Sequence, residues 1–152
     1  PQERTGVRMS RPHFYIEIAT VILHQGNPSD YDNTLQGYIN PYASSFVNWA
    51  LSQGVVYWLT DRPFHEQVHL AKLLRVPADA IPIRSFESSK TELIPPSHPD
   101  VIWVDCELIP GEITFLHENH YMDRFFQVPA STGVTSATKA LIERKLRERA
   151  KN

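Results

Sequence analysis

Residues 14–23 read FYIEIATVIL, and this stretch decides the fold class. Its aromatic and β-branched residues form an almost unbroken apolar run, which is typical of a strand covered on both faces in a parallel sheet. Glu17 is the one acid within the run. We therefore expect a central strand here, with Glu17 towards the end of the strand where open α/β sheets place their functional residues.

Shorter apolar runs and helical patterns alternate along the rest of the chain. Further strands are predicted at 55–59, 81–83 and 101–104, with edge strands at 113–116 and 125–128. Helices are predicted at 42–52, ended by Gly54, at 63–74, and from Thr135 or Ser136 to about Arg149. The alternation predicts a three-layer α/β/α sandwich of Rossmann-like type around a mostly parallel central sheet.

The length of 152 residues suits one domain, which we place at 13–152 behind a flexible N-terminal arm at 1–12. Fifteen basic against 17 acidic side chains leave no basic field of the kind that nucleic-acid binding requires. The apolar runs are too short for a membrane span or a secretory signal. The single cysteine, Cys106, forms no internal disulfide, so we expect a soluble cytoplasmic protein.

A polar stretch at 24–40 separates the first strand from the first helix. It is long for such a connection, and loops of this length in compact domains are usually lids, substrate-facing flaps or small hairpins. Tyr31, Tyr38 and Tyr42 flank it, so a binding role is credible for these three side chains.

Five short motifs occur in a fixed order: WLTDRP at 58–63, LLRVP at 73–77, Lys90, VIWVDCE at 101–107 and VPASTGVT at 128–135. Together with the acid-bearing first strand, this ordered set resembles the haloacid dehalogenase (HAD) superfamily. More narrowly, it is similar to small capless HAD-like domains of RNA-repair-type and of phage or actinobacterial proteins. The resemblance extends from Phe14 to about Arg149 and implies the same sandwich fold.

The resemblance also implies roles for particular residues. In HAD enzymes the first strand ends in D-x-D, whose first carboxylate attacks phosphorus and whose second acts as general acid and base. Glu17 stands at the nucleophile position and Ala19 at the acid/base position. Glu17 and Asp105 are the implied Mg²⁺ ligands, with Cys106 in place of a second acid. Thr60, Asp61 and Lys90 match the phosphate-binding positions.

These departures from D-x-D predict poor catalysis. A misplacement of about 1 Å at a reacting centre costs on the order of 10²-fold, and loss of the general acid costs roughly 10² to 10⁴-fold. Mg²⁺ is expected to bind weakly at most. The expected function is a non-catalytic module that binds a protein partner or a phosphorylated ligand. The alternative is a slow Mg²⁺-dependent phosphatase that uses Glu17.

Structural roles explain some of the same residues. A buried ion pair between Glu17 and Lys90 would hold the end of the sheet together without any chemistry. Thr60 and Asp61 also suit a turn and a helix cap ahead of Pro63.

A competing motif, HEQVH, occupies 65–69 and spells the H-E-x-x-H pattern of zinc hydrolases. His65 and His69 would bind zinc and Glu66 would activate water. Candidate third ligands are His117, Glu118 and His120. The simpler alternative is an amphipathic helix that buries Phe64, Val68, Ala71 and Leu74 and leaves both histidines outside the core.

Overall fold

The computed structural model describes residues 11–24 and 31–150, so most of the predicted arm and part of the 24–40 stretch lie outside it. Within those residues the strands are β1 (His13–Glu17), β2 (Leu23–His24), β3 (Tyr31–Asp32), β4 (Gly37–Ile39), β5 (Val55–Leu59), β6 (Val101–Asp105) and β7 (Phe125–Gln127). The α-helices are α1 (Ala43–Gln53), α2 (Phe64–Leu73), α3 (Pro110–Glu118) and α4 (Ser136–Ala150). None of the helices in this part of the chain is long and apolar enough to cross a membrane.

β1 lies inside a four-stranded sheet with the order β5-β1-β6-β7. Every neighbouring pair is parallel, and Tyr15 stands between Tyr57 on one side and Trp103 on the other. The prediction of a central first strand flanked by the strands at 55 and 101 is confirmed. Its apolar side chains are buried on both faces because helices or loop segments pack on each side of the sheet.

One face of the sheet carries Phe14, Ile16 and Val104, and side chains of α1, α2 and α4 pack against it. The other face carries Tyr15, Leu59 and Trp103, and α3 covers it through Leu116 together with Leu93 and Ile94 of the segment before β6. The protein is therefore an α/β domain with a parallel sheet between two layers.

The first strand is shorter than predicted, because it ends at Glu17 rather than at Leu23. Ile18–Ile22 forms one π-helical turn, in which the N–H of Leu23 returns to the carbonyl of Ile18. The Glu17 side chain accepts the N–H groups of Ala19 and Thr20, and this local acceptor satisfies donors that a longer strand would give to its neighbours.

Two predicted strands are wrong. Residues 81–83 form no strand: Pro82 has no N–H to donate to a ladder, although Ile81 is buried in the core. Residues 113–116 belong to α3, because Pro110 at its first turn and the Glu112 side chain bonded to the N–H of Ile109 start a helix ahead of them. The edge strand predicted at 125–128 is confirmed as β7.

The three predicted helices are confirmed within one or two residues at each end. For α2 the predicted core face is partly wrong, since Phe64 is 67% exposed while Gln67 and Leu70 are buried. Gln67 turns inward because its Nε2 donates to the carbonyls of Arg62 and Arg84. Leu74, which directly follows the helix, is buried as predicted.

Candidate functional site

The carboxyl ends of the parallel strands bring the predicted motif residues together. Glu17 ends β1, Thr60 follows β5 and Asp105 ends β6, while Lys90 begins a short 3₁₀ helix at Lys90–Leu93. A pocket of about 140 Å³ opens at this edge, and we call it the strand-end pocket. Its lining consists of Glu17, Ala19, Leu59, Thr60, Asp61, Arg62, Phe86 and Lys90.

The Glu17 carboxylate is turned towards its own chain. Oε2 accepts the N–H of Ala19 at 2.9 Å, while Oε1 accepts the N–H of Thr20 at 2.8 Å and the Thr20 hydroxyl at 2.6 Å. The side chain is 8% exposed, so these bonds compensate for its burial. Glu17 thereby acts as the cap of the π-helical turn, a role that no sequence pattern indicated.

Lys90 pairs with Asp105 and not with Glu17, which corrects the predicted ion pair. Its Nζ lies 2.7 Å from Oδ2 of Asp105, a carboxylate that is fully buried. Burial lowers the pKa of Lys90, but the hydrogen bond and charge of Asp105, followed by the charges of Glu17 and Glu112, outweigh it and raise the pKa above its usual value. Lys90 is therefore a charged ammonium at neutral pH.

Asp105 is held by further donors besides Lys90. Oδ1 accepts the N–H of Cys106 at 2.7 Å, and Oδ2 also accepts the indole Nε1–H of Trp103 at 3.2 Å. The carboxylate is thus hydrogen-bonded on both oxygens, which is the condition for keeping a charge inside the protein. Trp103 is a fully buried core residue, and no sequence pattern indicates this polar role.

Glu112 is a buried acid that was not among the predicted site residues. It is 4% exposed on α3, and its carboxylate contributes to the electrostatic surroundings of Lys90. Burial raises the pKa of Glu112. The hydrogen bond from Ile109 N–H and the charge of Lys90 act in the opposite direction, but they offset only part of the effect of burial. The Pro at 110 two residues before it is a helix-start signal that would have identified its capping role.

Thr60 and Asp61 differ in their environments. The Thr60 hydroxyl is buried and accepts the N–H of Arg62 at 3.0 Å, so it forms the predicted turn. Asp61 is exposed, and the helix cap of α2 is Pro63 without a side-chain bond, so the predicted capping role is wrong for both residues.

A small antiparallel sheet, β2-β4-β3, follows the π-helical turn, and we call it the flap. Asp32 Oδ2 lies 2.9 Å from His69 Nε2 of α2, and Arg62 donates to the carbonyl of Leu35 at 2.9 Å. These bonds attach the flap to α2 beside the strand-end pocket. Of the predicted forms, a small hairpin is confirmed for 31–40, where β3 and β4 pair antiparallel, and residues 25–30 lie outside the described part.

The histidines of HEQVH do not converge on a common point. The His65 side chain is 72% exposed, whereas His69 is bonded to Asp32. Among residues 11–24 and 31–150, no group of three or more histidine, cysteine or acidic side chains is placed to hold a metal ion. His117, Glu118 and His120 near the end of α3 complete no such group in the same part of the chain.

Mg²⁺ does not fit the donor set of the strand-end pocket. Its preferred ligands are carboxylate oxygens with open coordination positions. The Glu17 carboxylate already accepts three hydrogen bonds, and Asp105 accepts three, one of them from an ammonium group. A divalent cation would have to displace these donors, Lys90 among them.

Comparison of the chain with protein-family models, with curated proteins and with solved structures found no match.

Proposed function

We propose that this chain is a HAD-like domain that has lost phosphoryl transfer and serves as a non-catalytic binding module. Support for the family comes from topology: the residues that match the four HAD motif positions lie at or beside the carboxyl ends of adjacent parallel strands. That is the edge at which open α/β sheets bind ligands. The ordered motifs of the sequence point to the same residues.

One observation carries the loss of catalysis, namely the inward turn of Glu17. A nucleophile needs an oxygen aimed at the phosphorus, and both Glu17 oxygens are engaged by Ala19 N–H, Thr20 N–H and the Thr20 hydroxyl. At the acid/base position, Ala19 has only a methyl group, which cannot transfer a proton. The slow phosphatase that uses Glu17 would have to turn one of these oxygens towards the phosphorus, away from the one donor on Oε2 or the two donors on Oε1.

The pocket itself retains groups that suit an anionic ligand. Lys90 keeps its charge, and Arg62 and Thr60 line the same pocket, with the Arg62 guanidinium also paired to Glu66 at 2.8 Å. Two acids, Glu17 and Asp61, limit the net attraction, so we expect weak binding of a single anionic group. That group is the phosphate of a small ligand or of a protein partner.

A turnover assay tests the proposal. With an aryl phosphate and Mg²⁺, we expect no hydrolysis by the parent protein. Glu17→Asp with Ala19→Asp restores the short nucleophile and the general acid, so it should gain activity above the parent. Glu17→Asp with Ala19→Asn is the matched control, because asparagine has nearly the same shape and no proton to transfer. Adding Cys106→Asp supplies the second metal acid.

Two results would overturn the proposal. One is parent turnover at rates typical of enzymes, roughly 1 to 10³ per second, that Glu17→Gln abolishes. The other is a folded double variant that binds Mg²⁺ and still has no activity, since this would contradict the assignment of the motif positions. Circular dichroism of each variant establishes folding before the assay.

A further inference from the structure

A second concavity lies on the same face of the sheet as Glu17, towards the amino ends of the strands. We call it the amino-end groove and define its walls by His13, Tyr15, Tyr57, Arg84, Ile94 and His98. Its volume is about 580 Å³, which lies within the range of roughly 300 to 1,000 Å³ that small-ligand sites occupy. No residue of the strand-end pocket lines it.

Apart from Phe115 of α3, the lining of the groove comes from strands, the 3₁₀ helix and irregular segments rather than from α-helices. Tyr15 and Tyr57 stand side by side on β1 and β5, with ring centroids 5.0 Å apart and planes inclined by 22°. The segment at 81–98 that crosses above them carries three prolines, at 82, 95 and 96, and its regular structure is limited to the 3₁₀ helix Lys90–Leu93. A half-buried aromatic surface therefore remains next to solvent at Tyr57.

Arg84 is the cation of the groove. Its guanidinium carbon lies 4.7 Å from the centre of the Tyr57 ring, and its Nη2 makes one long hydrogen bond, 3.4 Å, to the carbonyl of Leu93. None of the ion pairs among the described residues includes Arg84. Stacking engages the flat face of the guanidinium and leaves most of its N–H edge for a carboxylate or phosphate.

The one acid that lines the groove, Glu92, is a carboxylate held by backbone donors. Both oxygens of Glu92 accept N–H groups of residues 87, 88 and 89, and these bonds hold the pKa of Glu92 below its usual value. Glu92 is therefore bonded to this turn and forms no ion pair with Arg84, while its charge reduces the net attraction of the groove for an anion.

Two histidines complete the polar end. The rings of His13 and His98 lie 4.4 Å apart, and Nδ1 of His98 accepts the N–H of Asp100. His98 therefore carries its proton on Nε2 when neutral, and this N–H is a second donor at the groove. Burial, followed by the neighbouring His98, lowers the pKa of His13, so His13 is mostly neutral at pH 7 and the anion would be held chiefly by Arg84.

We propose that the amino-end groove binds a small ligand that combines a planar aromatic ring with one anionic group. The ring packs against the Tyr57 and Arg84 surface and the apolar wall at Ile94, while the anion pairs with Arg84 and accepts the His98 N–H. Nucleotides and aromatic carboxylates share this chemistry. The site is separate from the one in the proposed function, so either stands if the other fails.

The test is a titration of the ¹⁵N-labelled protein followed by amide chemical shifts. The ring anions are adenosine 5′-monophosphate and indole-3-acetate, and the partial probes are adenosine and inorganic phosphate, each up to about 10 mM. We expect at least one ring anion to shift the amides of Tyr57, Arg84 and Ile94. Which one binds more tightly distinguishes a nucleotide source from a carboxylate source, and the partial probes should bind at least about tenfold more weakly.

Substitutions then assign the contacts. Arg84→Gln should weaken binding about tenfold, and Arg84→Lys should weaken it less, because lysine keeps the charge and loses the planar stack. Arg144→Gln, an exposed change on α4, is the matched control and should leave the affinity unchanged. The proposal is overturned if neither ring anion shifts the groove amides, if the shifts cluster at the strand-end pocket, or if Arg84→Gln binds as the parent does.

Discussion

The strand-end pocket and the amino-end groove lie on one face of one sheet, yet they satisfy their polar groups in opposite ways. At the strand ends the carboxylates of Glu17 and Asp105 are both bonded within the protein: Glu17 to its own backbone and Asp105 to Lys90. At the amino end the Arg84 guanidinium has one long hydrogen bond and no ion pair among the described residues. A residue can thus match a motif and still be unavailable to a ligand, because ligand binding requires donors and acceptors that the protein has not already satisfied.

The largest effect should follow from removing Lys90. In Lys90→Met the fully buried Asp105 carboxylate loses its cation, and uncompensated buried charges typically cost about 3 to 5 kcal/mol of unfolding free energy. Urea denaturation measures this loss. The control Lys72→Met, on the exposed side of α2, should change stability by less than about 0.5 kcal/mol.

The double variant Lys90→Met with Asp105→Asn should recover a substantial part of that loss, because the buried charge is then gone. If Lys90→Met loses less than about 1 kcal/mol of unfolding free energy, the Asp105 carboxylate does not depend on its bond to Lys90. The strand-end pocket and the amino-end groove would then not differ in how their charged groups are satisfied.

A smaller loss is expected from Gly133→Ala. Gly133 has a φ of +69°, and an added Cβ would lie 2.6 Å from Asn40 Nδ2 and 2.7 Å from the carbonyl of Val21 in the π-helical turn. Strain and overpacking of this kind cost about 2 to 3 kcal/mol. Thermal or urea unfolding measures it.

Gly111→Ala is the opposite control for that substitution. Gly111 lies in α3, and a Cβ added there would have no described atom within 4 Å beyond its own helical turn, so alanine should raise stability by about 0.5 to 1 kcal/mol. Equal effects of the two substitutions would show that the strand-end edge is packed more loosely than the contacts at Gly133 imply.

The flap is an intermediate case, because its Asp32–His69 pair is only partly buried. Burial raises the pKa of Asp32, but the hydrogen bonds from His69 and from Leu35 N–H outweigh it and hold the pKa below the usual 3.8. A lowered carboxyl pKa stabilises the fold above that value and loses its effect as the pH falls through the folded-state pKa. Asp32→Asn should therefore cost about 0.5 to 1 kcal/mol at pH 6 and almost nothing near pH 2.

Urea midpoints of the parent and of Asp32→Asn at both pH values measure this difference. A difference that is independent of pH would mean that the aspartate charge contributes nothing to holding the flap on α2.

The smallest effect on stability is expected at the groove. Arg84→Gln should change the free energy of unfolding by less than about 0.5 kcal/mol, because the side chain is exposed and its stabilising contacts are one stack and one long hydrogen bond. Urea denaturation gives the value. A loss of unfolding free energy above about 1.5 kcal/mol would show that Arg84, like Lys90, stabilises the fold.

Several local features were predictable because short-range patterns encode them. The apolar run at 14–23 predicted a central strand, and the helical pattern at 42–52 with Gly54 behind it predicted α1. The predictions failed where one residue overrode the pattern. Pro82 prevented a strand in an apolar segment, and Pro110 with Glu112 started a helix through a segment rich in β-forming residues.

The candidate site was predictable in its membership and not in its bonding. Parallel strands end at one edge, so the order of the elements along the chain was enough to predict that Glu17, Thr60 and Asp105 lie near one another. The partner of Lys90 was not predictable, because Glu17 and Asp105 are both acids within its reach and the choice depends on ångström-scale distances. The groove had no sequence signal at all, since Tyr57, Arg84 and His98 come from separate segments.

Local periodicity was enough to predict the central strand, the helices α1, α2 and α4, and the residues at the strand ends, because the spacing of apolar residues reports which side chains are buried. Three contacts became visible only in the folded chain: Glu17 bonds to its own backbone, Lys90 bonds to Asp105, and Arg84 stacks on Tyr57 beside an open groove. Hydrogen bonds and ion pairs act over a few ångströms and in fixed directions, so their partners emerge only when segments distant in the chain are packed together.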